Sequence, residues 1–231
     1  MSMNAKLIVA LDFPQIGAAL QLVDAAGDAV EWYKVGKQLF TLCGPTVIHE
    51  LKARGKKVFL DMKYHDIPNT VAGAVRAAAA IGADIINVHA SGGPEMLKAA
   101  AEAANDTGKL VIAVTVLTSM DASSLAAIGV NATPEEQVVR LARLTRDAGL
   151  GGVVCSPLEL EAIHHACGGD FVTVVPGIRP AGAALGDQKR VMTPRLAAQS
   201  GASYIVVGRP ITAAADPCDA AKAILAELSL K

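Results

Sequence analysis

Short apolar runs alternate along this chain with longer stretches in which apolar residues recur at helical spacing. The runs return about every 25 to 30 residues, the interval of a strand, a turn and a helix. They predict strands over Leu7–Leu11, Glu31–Val35, Lys57–Asp61, Asp84–Val88, Leu110–Val116, Gly152–Val154, Phe171–Val175 and Tyr204–Val207. Some, such as Leu110-Val111-Ile112-Ala113-Val114, hold no polar side chain at all. A run that is apolar on both faces suits a parallel strand covered on both faces.

The intervening helices are punctuated by proline at the start and glycine past the end. Proline's fixed φ fits a first turn whose N–H has no partner, and glycine accepts the positive φ that stops a helix. On this basis helices span Pro14–Ala26, Pro45–Ala53, Pro68–Ile81, Pro94–Asn105, Pro134–Ala148, Pro157–Cys167 and Pro194–Ser200, with a last one from Pro217 to about Leu230. Thr133 and Glu136 stand three residues apart at the head of the fifth, the spacing of a capping box. Eight strands, each followed by a helix, predict a closed (β/α)8 TIM barrel of the α/β class, with an open eight-stranded sheet as the alternative. No linker or composition shift divides residues 1–231, so a single domain is expected. The longest irregular stretch, Gly177–Thr193, has the length and glycine content of a lid.

Composition narrows the function. A 231-residue chain that is 52% hydrophobic can bury one sizeable core. Its net charge of −1, with no cluster of lysines or arginines, argues against a nucleic-acid-binding face and leaves room for a small anionic ligand. Cys43, Cys155, Cys167 and Cys218 form no C-x-x-C pair, so reduced thiols in a cytoplasmic protein are expected and zinc-ligand spacing is absent. The first apolar run ends at Asp12, too short for a signal-peptide core or a membrane span.

In a barrel of this kind the active face is the C-terminal end of the strands. The polar residues that the predicted strands deliver there are Asp12, Lys34, Asp61 with Lys63, His89 with Ser91, Thr118 with Ser119, Ser156, Arg179, and Gly208 with Arg209. Each has an ordinary explanation alone: Asp12 as a helix cap, Lys34 as a surface lysine, His89 as a packed histidine, Asp61–Lys63 as a plain ion pair. Together, Asp12, Lys34, Asp61 and Lys63 make a cluster of alternating sign on adjacent strands. Period two places Asp61 and Lys63 on one face, and Asp66 follows on the loop, where it can turn back or reach another subunit. Such groups are costly to desolvate unless paired, a cost proteins bear at sites of chemistry. Gly208-Arg209 after the last strand, with Arg179 and Gln188 on the preceding loop, suits a phosphate.

These residues resemble the orotidine 5′-monophosphate decarboxylase family of the bacterial type. The resemblance is carried by Ala10-Leu11-Asp12, Tyr33-Lys34-Val35-Gly36, the D-x-K-x-x-D-I-P-N-T string from Asp61 to Thr70, Asn87-Val88-His89-Ala90, Val116-Leu117-Thr118-Ser119-Met120, Pro176-Gly177-Ile178-Arg179-Pro180, Gly186-Asp187-Gln188 and Val207-Gly208-Arg209-Pro210. Met62 and Tyr64 stand where the family often has Leu and Phe. The resemblance implies decarboxylation of orotidine 5′-monophosphate to UMP and CO2, the last step of de novo pyrimidine nucleotide synthesis, without metal or organic cofactor. It implies a homodimer with shared sites, in which Asp61 and Lys63 of one subunit meet Asp66 of the partner subunit, and Lys63 donates the proton. It places Asp12, Lys34 and the partner subunit's Thr70 near the ribose, and Ile67 among the substrate-contacting positions. Thr118-Ser119 falls at the pyrimidine edge, and Arg179, Gln188, Gly208 and Arg209 at the phosphate and the closing loop. Two alternatives stand beside it. One is a magnesium-dependent phosphosugar enzyme sharing D-x-K-x-x-D, such as a keto-gulonate phosphate decarboxylase or hexulose phosphate synthase. The other is a non-catalytic nucleotide-binding barrel.

Overall fold

The computed structural model describes residues 5–180 and 192–229. Eight parallel strands close on themselves in chain order, each hydrogen-bonded to the next and the last to the first. They are β1 (Lys6–Ala10), β2 (Trp32–Gly36), β3 (Lys57–Tyr64), β4 (Ile85–His89), β5 (Leu110–Val114), β6 (Gly152–Val154), β7 (Val172–Val175) and β8 (Tyr204–Val207). The expected TIM barrel is therefore the observed one, and the open sheet is not. The outer ring comprises α1 (Ile16–Ala26), α2 (Lys37–Cys43), α3 (Thr46–Ala53), α4 (Pro68–Ala80), α5 (Pro94–Thr107), α6 (Ala122–Ala127), α7 (Pro134–Asp147), α8 (Leu160–Cys167), α9 (Pro194–Gln199), α10 (Arg209–Thr212) and α11 (Pro217–Ser229).

Helix starts follow the punctuation. Proline occupies the first turn of α4, α5, α7 and α9, and Thr133 and Glu136 form the capping box on α7. Three short helices, α2, α6 and α10, lie in stretches where no helix was expected. Pro14 and Pro45 precede their helices instead of opening them, and Pro157 opens a 3-10 turn, Pro157–Glu159, before α8. Strand β5 stops at Val114, short of the expected Val116, and β3 runs on past Asp61 to Tyr64. Of the expected lid, residues 181–191 lie outside the described residues, while its ends meet in a bridge between Ile178 and Met192.

Two apolar layers hold the barrel. The larger lies between strands and helices, with Val9, Val35, Leu60, Ile86 and Val207 facing outward onto it. The smaller fills the interior with Ile8, Ala10, Trp32, Phe59, Ile85, Ile112, Val174 and Val206. Trp32 meets Tyr204 edge-on at 5.3 Å across the base of this plug. The interior is thus packed from below. Only the next inward positions toward the strand ends, beginning with Lys34, Asp61 and Asn87, stand above the apolar layer.

Candidate active site

Strand β3 departs from regular pairing where the chemistry begins. Leu60 pairs with Ile86 and Tyr64 with Val88, so four steps of β3 run against two of β4. Within this bulge Lys63 has φ of +54°, the one positive φ among the described non-glycine residues. Holding a lysine there costs on the order of 1–3 kcal/mol, which the surroundings must offset. The expectation that simple alternation brings Asp61 and Lys63 together is corrected accordingly. They do meet, but through a bulge that re-aims the lysine.

The ammonium of Lys63 lies 2.5 Å from Asp61 Oδ1. Lys34 Nζ stands 3.4 Å from Asp61 Oδ2 and 3.1 Å from Asp12 Oδ1. Asn87 Nδ2 donates to Asp61 Oδ1 at 2.7 Å, and Asn87 Oδ1 accepts the Lys63 backbone N–H at 2.8 Å. Gly36, opposite Asp61 in the register, leaves room for this array, since a Cβ there would come within 3.0 Å of Lys34 Nζ. The Lys34 and Asp61 side chains are each 12% exposed, so their charges are largely withdrawn from water. Burial by itself pushes the Asp61 carboxyl upward. The Lys34 and Lys63 ammoniums and the two hydrogen bonds more than reverse that, and hold it below its ordinary value.

Two cavities open from this array. One, of about 170 Å³, is walled largely by apolar groups including Phe59, Val114, Val116, Leu117, Val154, Val174 and Pro176, with Lys34, Asp61, Lys63, Thr118 and Cys155 at its polar points. The other, of about 510 Å³, is lined by Asp12, Lys34, Gly177, Arg179, Gly208, Arg209 and Thr212 among others. They share Lys34, Pro176 and Val206, so one elongated ligand can reach from the apolar chamber to the two arginines. A hollow of about 710 Å³ lies elsewhere, along α7, but its walls come from that one helix and bring together no groups from different elements.

The remaining expected residues divide clearly. Arg179 lies nearly buried, its guanidinium donating to the Ile178 carbonyl at 2.9 Å. Thr118 lines the apolar chamber and Ser119 does not. Asp66, Ile67 and Thr70 are exposed on the rim and line neither cavity, and the Asp66 carboxylate accepts the Ile67 N–H at 2.7 Å. Ser156 is occupied locally, capping the 3-10 turn at Leu158. His89 bonds Ser91 and stacks on His65 at 5.6 Å, and burial, with His65 and nearby lysines, lowers its pKa. Gln188 lies outside the described residues. Sequence reasoning assigned no role to Asn87, although an amide between Ile86 and Val88 in an otherwise apolar strand was the available signal. Among the described residues the only trio of potential metal ligands within reach of one ion is Asp216, Cys218 and Asp219, around the start of α11, and none of the three lines either cavity.

A sequence model described as Orotidine 5'-phosphate decarboxylase / HUMPS family matches residues 5–224. An orotidine 5′-phosphate decarboxylase of Moorella thermoacetica is 53% identical over 97% of this chain and 92% of its own length. One from Halorhodospira halophila is 55% identical over 97% of this chain and 96% of its own. The crystal structure of orotidine 5′-phosphate decarboxylase from Lactobacillus acidophilus superposes with a TM-score of 0.86 at 39% identity, covering 98% of this chain and all of that one.

Proposed function

The chain belongs to the orotidine 5′-phosphate decarboxylase family, and from that premise we propose that Lys63 is the proton donor of its reaction. The protein is an enzyme of pyrimidine nucleotide synthesis that decarboxylates orotidine 5′-monophosphate to UMP and CO2. The bond between C6 of the pyrimidine and its carboxylate breaks, and the electron pair stays on C6. In the proposed mechanism the Lys63 ammonium faces that charge as it develops, then transfers a proton to C6 and later regains one from solvent.

The observation that carries this reading is the Lys34–Asp61–Lys63 array at the junction of an apolar and a basic cavity. The apolar chamber takes the base and excludes water, which strengthens every charge interaction inside it. Thr118 reads the base edge. Lys34, at the junction, and Asp12, paired with it in the larger cavity, serve the ribose. Arg179, Arg209 and the Gly208 backbone serve the phosphate, far from the bond that breaks, so their binding energy acts by ordering the site. Asp61, held ionised, keeps the Lys63 amine aimed. The direct test follows loss of orotidine 5′-monophosphate absorbance with purified protein. UMP must appear in step with CO2, and no turnover on this nucleotide would end the proposal. Activity lost with EDTA would favour the magnesium-dependent alternative.

The active unit is proposed to be a homodimer in which Asp66, Ile67 and Thr70 complete the neighbouring site. Their exposure on the rim supports this, as does Ile67, an apolar side chain left 67% exposed. Mixing inactive Lys63→Ala and Asp66→Ala chains should regenerate one intact site per mixed dimer, whereas no regained activity would exclude shared sites. The chain is further proposed to work as one domain in the cytoplasm, without nucleic acid. Its four free thiols and near-neutral charge support this, and cell fractionation tests it. No helix among the described residues is long and apolar enough to cross a membrane.

A further inference from the structure

We propose that Asn87 is a positioning residue that locks Lys63 into its reactive pose, an inference that rests on Lys63 as the proton donor. Asn87 lies on β4, fully buried, two residues above Ile85 of the interior plug and opposite the apolar Ile112 of β5. Its one amide group makes two bonds of opposite sense. The oxygen takes the Lys63 backbone N–H at 2.8 Å, and the nitrogen gives a hydrogen to Asp61 Oδ1 at 2.7 Å. The same Asp61 oxygen receives the Lys63 ammonium at 2.5 Å. Backbone and side chain of Lys63, Asp61 and Asn87 therefore form a closed ring of hydrogen bonds.

The ring explains two features together. Lys63 holds a left-handed backbone that lysine disfavours, inside a bulge that has left regular strand pairing. The Asn87 oxygen supplies the acceptor that the interrupted ladder no longer provides for the Lys63 N–H. Asp61 must also point one oxygen at each ammonium, and the Asn87 nitrogen fixes the rotation of the carboxylate that does so. At neutral pH a carboxamide of this size carries a separate donor and acceptor atom, where an ionised carboxylate only accepts. Aspartate would keep the acceptor for Lys63 but set a second carboxylate against Asp61. Alanine would supply neither bond. Asn87 lines neither cavity, so it acts through Lys63 and Asp61 rather than on the nucleotide.

The test compares Asn87→Ala and Asn87→Asp with the parent and with Lys63→Ala, reading kcat and KM on orotidine 5′-monophosphate. It also reads the amide hydrogen exchange of Lys63 in the unsubstituted protein. Asn87→Ala should lower kcat about 10- to 100-fold with KM little changed, the signature of a misaligned reacting group. Asn87→Asp should lose more at neutral pH and recover relative to the parent as pH falls, because burial beside the Asp61 carboxylate raises the new carboxyl and its regained proton restores the donor. A merely structural role would not produce that profile. The groups able to shift it are Asp61 and Lys63 on β3, Lys34 beyond them on β2, and His89 farther along β4. The Lys63 amide should exchange as slowly as those of the regular strands. Parental kcat in Asn87→Ala beside an inactive Lys63→Ala would overturn the role of Asn87 and leave the proton donor standing. Parental activity in Lys63→Ala would overturn both. Should the variants fail to fold, exchange of the Lys63 amide at the rate of an open loop would by itself defeat the proposal.

Discussion

Phe59 and Asp61 are two residues apart on one strand and border the same apolar chamber, yet one is held by packing and the other by pairing. Phe59 belongs to the interior plug with Trp32 and Ile85. One inward position higher on the same three strands stand Asp61, Lys34 and Asn87, each tied to another polar group. The lower layer gains stability by removing apolar surface from water, the higher one withdraws charges from water and must offset that cost by pairing. A side chain lost below should therefore cost stability, and one lost above should cost turnover.

Phe59→Ala gives the largest expected effect on folding, about 3–5 kcal/mol lost in urea or thermal melts through the cavity it leaves. A loss near that of a surface substitution would mean the plug is not what supports the barrel. At the upper end, Arg209→Ala should lower kcat/KM on the nucleotide by roughly 10²- to 10³-fold, about 2.7–4 kcal/mol of transition-state stabilisation, with melting little changed because the side chain is exposed. If steady-state kinetics left kcat/KM at the parental level, the basic cavity would not be the phosphate site.

Asp61 bears on both stability and turnover, because its charge contributes to each. Its folded pKa lies below the ordinary 3.8, so its contribution is fully present above that value and fades as pH falls through the folded pKa. Urea melts of the parent should show this acid-side fall, and Asp61→Asn should show less of it while losing activity at every pH. Equal acid dependence in both would remove the carboxylate's pairing from the account. The smallest effect lies away from both layers: Thr133→Ala breaks the capping box on α7 and should cost about 1 kcal/mol in melts without altering turnover.

The same contrast governs what could be read from the sequence. Apolar runs and Pro/Gly punctuation carry the barrel, because burial and helix ends are local patterns. The short helices α2, α6 and α10 escaped because they are less than two to about two turns long and lack the full punctuation, being held by the tertiary surroundings. The charges of Asp12, Lys34, Asp61 and Lys63 were legible as a set on adjacent strand ends, and the distances bear out their convergence. The left-handed Lys63 was not legible, because a positive φ is normally signalled by glycine and here arises from a mismatch between β3 and β4. Asn87 entered only as a letter of the Asn87-Val88-His89-Ala90 string, and its role was not legible because its partners are 24 and 26 residues away. Asp66 was legible from its place on the loop after Lys63, while Ile67 and Thr70 joined the site by resemblance alone; one chain leaves all three exposed on the rim.

In the proposed mechanism an ammonium fixed against Asp61 makes negative charge on the pyrimidine C6 tolerable. The most direct measurement is CO2 release from orotidine 5′-monophosphate by Lys63→Met, a neutral side chain of similar length, in protein shown by melting to be folded. Release should fall at least about 10³-fold. Release at the parental rate would contradict that mechanism.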